Sequence, residues 1–144
     1  MRRSELKLIY PLWVALACFS FDLHAVAAEP GPSIIPQLQE RLGLSEAQVR
    51  GSLGALLIFV RERLPKQEFD RVSKSIPNAD HIMRETRLNG IVNGPLDDIG
   101  DYQASLANLG IGQPLASQVA PAVAESLGAA GFQRERSILL RVIY

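Results

Sequence analysis

The 144-residue chain has one cysteine, two histidines and only 6 % aromatic residues. Its single cysteine, Cys18, lies in an apolar N-terminal segment, so the rest of the chain has no thiol. Neither a disulfide nor a thiolate metal site can hold that part together, and packing alone must do it. His24 also precedes residue 29, which leaves His81 as the one imidazole for any catalytic or ligating role. So few aromatics give no support for a stacking platform for single-stranded nucleic acid. An excess of either charge is missing too: 15 Lys and Arg balance 15 Asp and Glu, and beyond residue 28 the numbers are 12 and 13. A net charge near −1 there creates no field that gathers nucleic acid or an anionic membrane surface. The chain has no G-x-S-x-G nucleophile elbow, no phosphate-cradling glycine loop and no motif that calls for a cofactor.

What the sequence does have begins at its N-terminus. Arg2, Arg3 and Lys7 precede the apolar run "LIYPLWVALACFSF", which is followed by "DLHAVAA" with small residues near its end. That order is the n-, h- and c-region order of a secretory signal, expected over residues 1–28. The run is about 14 residues, short of the roughly 20 that span a bilayer, and Asp22 follows it. Cleavage after Ala28 is preferred, with Ala27 the alternative. "ALAC" loosely resembles a lipoprotein box at Cys18, but Ala15 stands where leucine is usual and the small-residue site comes later, so lipid anchoring is the minority reading. "RRSELK" resembles a twin-arginine signal except at Glu5, and export in the unfolded state is favoured. A periplasmic or secreted protein with no membrane span after cleavage is expected.

The remaining 116 or so residues amount to one domain. "EPGPSIIP", 29–36, reads as an extended leader, and 37–144 as a helical domain. Pro36 suits the first turn of helix one, with Gly43 just past its end and Leu44 folding back towards Leu38 in a Schellman contact. Ser45 and Gln48 form an S-x-x-Q capping box for a second helix that runs to about Leu64. Pro65 opens a third, with Phe69, Val72 and Ile76 on one face, and Pro77 ends it. Asn78 caps a short fourth, "ADHIMRET". "RLNGIVNGPLDD" is the longest loop. A fifth helix from about Asp98 to Leu109 places Ile99, Tyr102, Leu106 and Leu109 together, and Gly110 ends it with Ile111 turned back onto Leu106. The sixth, about Gln113 to Leu127, contains Pro121, which is expected to kink it. The seventh is "FQRERSILLRVI". No segment alternates as strands do, so the chain is read as all-α: a compact single-domain bundle of six to seven short helices.

The second helix carries Gly51 and Gly54 although each costs about 1 kcal/mol against alanine in a helix interior. At 100° per residue, Val49, Leu53, Leu56, Leu57, Val60 and Leu64 form a bulky stripe. On the opposite side Ala47, Gly51 and Ala55 recur every four residues beside Gly54 and Ile58, a shallow strip on which another helix can pack closely. The second helix is therefore expected to be central and buried on both sides.

Candidate chemistry is sparse. His81 and Glu85 share a face at i, i+4, but two ligands fall short of the four that a structural zinc takes, and an exposed polar face is the simpler reading. Asp97, Asp98 and Asp101 lack the calcium-loop frame, and the helix dipole explains acidic residues at a helix start. Glu40, Glu46, Glu62 and Glu68 fall on solvated faces, with no pair marked for a shared cleft. Arg61, Arg63 and Lys66 fit dipole complementarity at a helix C-terminus, and Arg134, Arg136 and Arg141 fit a solvated face. No catalytic, cofactor-binding or metal-binding residue is assigned.

"LGLSEAQVRGSLGALL", the Phe69 that follows, "SIP", "LANLGI" with its proline-containing helix, and "SILL" together resemble the VcgC/VcgE family of exported bacterial proteins of unknown function. The resemblance runs from about Leu38 to Leu140, and its most specific part is the paired glycines followed by "GALL". The glycine-rich connector after "SIP" is represented here only by "LNGIVNGP". The resemblance implies a small helical domain and a cell-envelope location, and it brings no catalytic residues. Two functional classes remain. The first, preferred, is a non-enzymatic binding or structural module that takes a protein, peptide or apolar ligand in a groove between helices. The other is an enzyme with a site built from scattered carboxylates or His81.

Overall fold

A computed structural model describes residues 33–144. The expected signal segment, with its cleavage, lipid-anchor and export alternatives, and most of the expected leader lie outside the described residues. Seven α-helices follow one another: α1 Ile34–Leu42, α2 Glu46–Arg61, α3 Lys66–Lys74, α4 Ala79–Leu88, α5 Ile99–Leu106, α6 Gln113–Ala129 and α7 Gln133–Ile143. A single 3₁₀ turn, Ala107–Leu109, continues α5, and the described residues contain no strand. The all-α reading holds.

Helix α2 is the axis. Every residue from Gly51 to Val60 is buried, and the helix packs against α1, α3, α4, α5 and α6. Val49, Leu53, Leu56, Leu57 and Val60 are all sealed, and Leu64, beyond the helix end, is half-buried. On the other face Gly51, Gly54, Ala55 and Ile58 are buried as expected, while Ala47 is exposed. The glycine strip is the seat of α4. A Cβ on Gly54 would lie 2.9 Å from the Ile82 carbonyl oxygen and from Thr86 Cβ, and would overlap Thr86 Oγ1. Thr86 is itself buried, and its hydroxyl donates to the Ile82 carbonyl at 2.8 Å, so no polar atom is stranded where the two helices touch. Gly51 has a softer boundary, the side-chain ends of Leu109 and Ile91 at 2.8–2.9 Å from its would-be Cβ.

Helix boundaries moved in ways that backbone chemistry explains. Helix α1 starts at Ile34, so residues 34–36 of the expected leader are helical, and Pro36 sits in the first turn where its missing N–H leaves no bond unmade. Gly43 has φ 66°, and its N–H donates to the Gln39 carbonyl at 2.9 Å, a single αL closure in place of the expected Schellman pair. The Schellman pair does close α5 and its 3₁₀ turn: Ile111 N–H reaches the Leu106 carbonyl and Gly110 N–H the Ala107 carbonyl. Helix α2 stops at Arg61, three residues early; Arg63 and Leu64 N–H both still donate to the Val60 carbonyl, at 3.1 and 3.0 Å, in a tightened last turn before Pro65, which disfavours helical geometry at the residue preceding it. The Ser45–Gln48 capping box is present in both directions. Asn78 stands at the α4 N-cap without a side-chain cap bond, since its backbone is left-handed at φ 60°. Helix α4 runs on to Leu88, and α6 to Ala129 with Pro121 inside it.

The long loop between α4 and α5 is closed onto the core by buried Ile91, Val92 and Leu96, and Asn108 donates to the Ile91 carbonyl at 3.0 Å. Tyr102 is fully buried, its ring 5.8 Å from that of Phe59, and its hydroxyl has no hydrogen-bond partner among the described residues. Burial alone pushes that phenol far above its ordinary range.

Candidate functional site

N-terminal to Gly54 on α2, Glu46, Ala47 and Arg50 share a groove lining with Glu85 and Asn89 of α4. The groove, of about 400 Å³, has buried Gly51, Ile82 and Ile91 as its apolar floor, exposed Ala47 at its mouth and Glu46, Arg50, Glu85 and Asn89 as its polar rim. That size and mixture lie within the range of small-ligand and peptide sites.

Glu85 organises the rim. One carboxylate oxygen accepts from Arg50 Nη2 at 2.7 Å, and the other lies 3.2 Å from His81 Nε2. The Arg50 hydrogen bond, more than any other influence, holds the Glu85 carboxyl below its ordinary value; partial burial opposes this, and the nearby charges of His81 and Arg50 reinforce it. Glu85 is thus a fixed anion at neutral pH, and the His81–Glu85 pair of the sequence reading has a third member. Arg50 was legible in principle: it stands four residues before Gly54 on the glycine face, so any helix seated there meets it. No three His, Cys, Asp or Glu side chains among the described residues converge as a metal-ligand set.

A family model described as "Protein of unknown function VcgC/VcgE (DUF2780)" matches residues 22–141. The chain belongs to this family. The match takes in α1 to α6 and nearly all of α7, and is wider than the span from Leu38 to Leu140 that carries the resemblance in sequence. Neither a curated protein nor a solved structure matches the chain.

The other candidates in this VcgC/VcgE chain resolve into structural roles. Asp98 is the α5 N-cap, accepting from Asp101 N–H at 2.8 Å, and Asp101 in turn accepts from Asp97 N–H at 2.9 Å. The acidic cluster is a helix start, as its position implied. Arg63 donates to the Phe59 carbonyl at 3.1 Å, stacks 3.8 Å over the Phe59 ring and also donates to the Asp97 carbonyl, so it staples the end of α2 to the start of α5. Lys66 belongs to the first turn of α3 and pairs with Asp70 at 2.6 Å, outside the α2 C-terminus to which the sequence assigned it. Glu40 and Glu46 are exposed; Glu62 lies 4.0 Å from Arg87, and half-buried Glu68 pairs with Arg141. Arg134 of α7 is exposed, as a solvated face implies, but the other two α7 arginines also contact neighbouring helices. Arg141 reaches α3 through Glu68, and the Arg136 side chain lies over Gly128 of α6. Among the described residues no helix is long and apolar enough to cross a membrane.

Proposed function

We propose that the protein is an exported, non-enzymatic helical module that binds a peptide segment of a partner protein in the α2–α4 groove. The observation that carries this reading is the rim itself. Arg50 and Asn89 supply donors, Glu46 and Glu85 supply acceptors, and an apolar floor lies between them, which complements a peptide with one apolar anchor and polar flanks. Export is supported by the charge, apolar and small-residue order of residues 1–28. The same rim argues against the enzyme alternative. A carboxylate whose pKa is lowered by an arginine is a weak base at neutral pH, and His81 on its exposed face has one carboxylate for company.

The test is site-directed photo-crosslinking in intact cells. A probe at Ala47, exposed at the groove mouth, should trap a discrete partner, and a probe at Ala129 on the exposed end of α6 should not. The Ala47 adduct should fade in Glu85→Arg, which sets two cations against each other at the rim. Equal adducts from both positions, or an Ala47 adduct indifferent to Glu85→Arg, overturn the groove reading. N-terminal sequencing of the extracellular or periplasmic fraction tests export, with Glu29 the expected first residue.

A further inference from the structure

Helices α3 and α7 meet along a second groove, of about 440 Å³, on which no part of the function above depends. Glu68 and Arg71 line it from α3, and Arg134, Ser137, Ile138 and Arg141 line it from α7 at the spacing of one helical face. Three guanidinium groups therefore share a groove with a single carboxylate. That carboxylate, Glu68, is already engaged by Arg141. Among the described residues Arg71 and Arg134 make no ion pair.

Arg134 is also placed against its own helix. It stands in the first turn of α7, where the positive end of the helix dipole disfavours a cation, and that terminus has no side-chain cap bond. The acidic residue of the same turn, Glu135, is outside the groove lining. Exposed Arg71 and Arg134 line one groove from two helices, the second on a helix start without a side-chain cap bond, and a bound anion would complement both. Arginine forks match oxyanions bidentately, and the one carboxylate in the groove lining, Glu68, is already engaged by Arg141. What is missing is an anion with enough oxygens and charge to serve both remaining guanidiniums from two helices.

We propose that the α3–α7 groove is a phosphate-binding site, with Arg71 and Arg134 as its two free clamps, Arg141 held in place by Glu68, and buried Ile138 as its apolar floor. The ligand class is a phosphate ester, either soluble or the headgroup of a lipid.

Calorimetric titration of the processed protein that begins at Glu29, at low ionic strength, with inorganic phosphate in one arm and phosphatidylglycerol vesicles in the other, tests the site. Phosphatidylcholine vesicles serve as the blank. Saturable binding in at least one arm is expected, weakened at least about tenfold in Arg71→Gln/Arg134→Gln because each lost charge-assisted bond is worth more than one factor of ten. Arg84→Gln, an exposed arginine of α4 away from the groove, should stay within about twofold, and unchanged circular dichroism of all variants excludes loss of fold. Binding of free phosphate assigns a soluble ester, and binding of vesicles alone assigns a lipid headgroup. No saturable binding in either arm, or a double variant that binds like the parent, overturns the proposal.

Discussion

At the scale of single residues, Gly54 and Tyr102 make opposite predictions. Alanine at Gly54 gains about 1 kcal/mol of helix propensity, but its Cβ meets α4 backbone and Cβ atoms that cannot rotate away, so overpacking of about 1–3 kcal/mol or more prevails. Gly51→Ala meets only the rotatable ends of Leu109 and Ile91, so it should come within about 1 kcal/mol of the parent, whereas Gly51→Leu overfills the space and costs about 1–3 kcal/mol. Urea denaturation ranks the three, and a Gly54→Ala as stable as Gly51→Ala would mean that α4 sits further off than described. Tyr102→Phe should be neutral or stabilising by up to about 1 kcal/mol, since it removes a buried hydroxyl with no partner among the described residues. A clear loss of stability in Tyr102→Phe would reveal a partner for that hydroxyl.

At the scale of elements, termini decide more than interiors. The capping box at Ser45 satisfies two backbone groups at the start of the central helix, so Ser45→Ala should lower stability by about 1 kcal/mol. Ser33 occupies the same position on α1 with no side-chain cap bond, so Ser33→Ala should change little. Thermal unfolding of the two variants side by side checks the contrast. Two of the glycine-terminated ends, Gly43 and Gly110, and the serine capping box were legible in the sequence because each rests on residues no more than five apart. Asn78 stands at the expected N-cap but does not cap with its side chain, for an instructive reason: asparagine is both a good N-cap and, after glycine, the residue most tolerant of left-handed backbone. Only its φ of 60° shows which property is in use.

At the scale of the whole molecule, ion pairs tie distant helices together and set the acid response. Arg41 on α1 reaches Glu125 on α6 at 2.9 Å, and Arg50 on α2 reaches Glu85 on α4. In each case the arginine hydrogen bond is the main cause that lowers the carboxyl below its ordinary value of 4.5. A depressed folded-state pKa contributes stability that is fully present above 4.5 and is lost as pH falls through the lowered value. The contribution of these two pairs should therefore decline below about pH 4.5, with a shallower decline in stability in Arg41→Gln/Arg50→Gln. Urea midpoints measured from pH 7 to pH 3 check this, and an unaltered slope in the double variant would remove these two pairs from the acid response.

The sequence by itself determined the helical class, the order and approximate ends of the helices, and the burial of α2 on both faces. Those properties follow from periodicity, caps and breakers, which act over a few residues. The two glycines of α2 announced close packing without naming the partner. Only the tertiary structure decided that α4 is seated at Gly54, that Glu85 answers to Arg50, and that Arg71 and Arg134 converge on one groove. These are meetings of side chains tens of residues apart, fixed by how the helices pack and by no local rule of the chain.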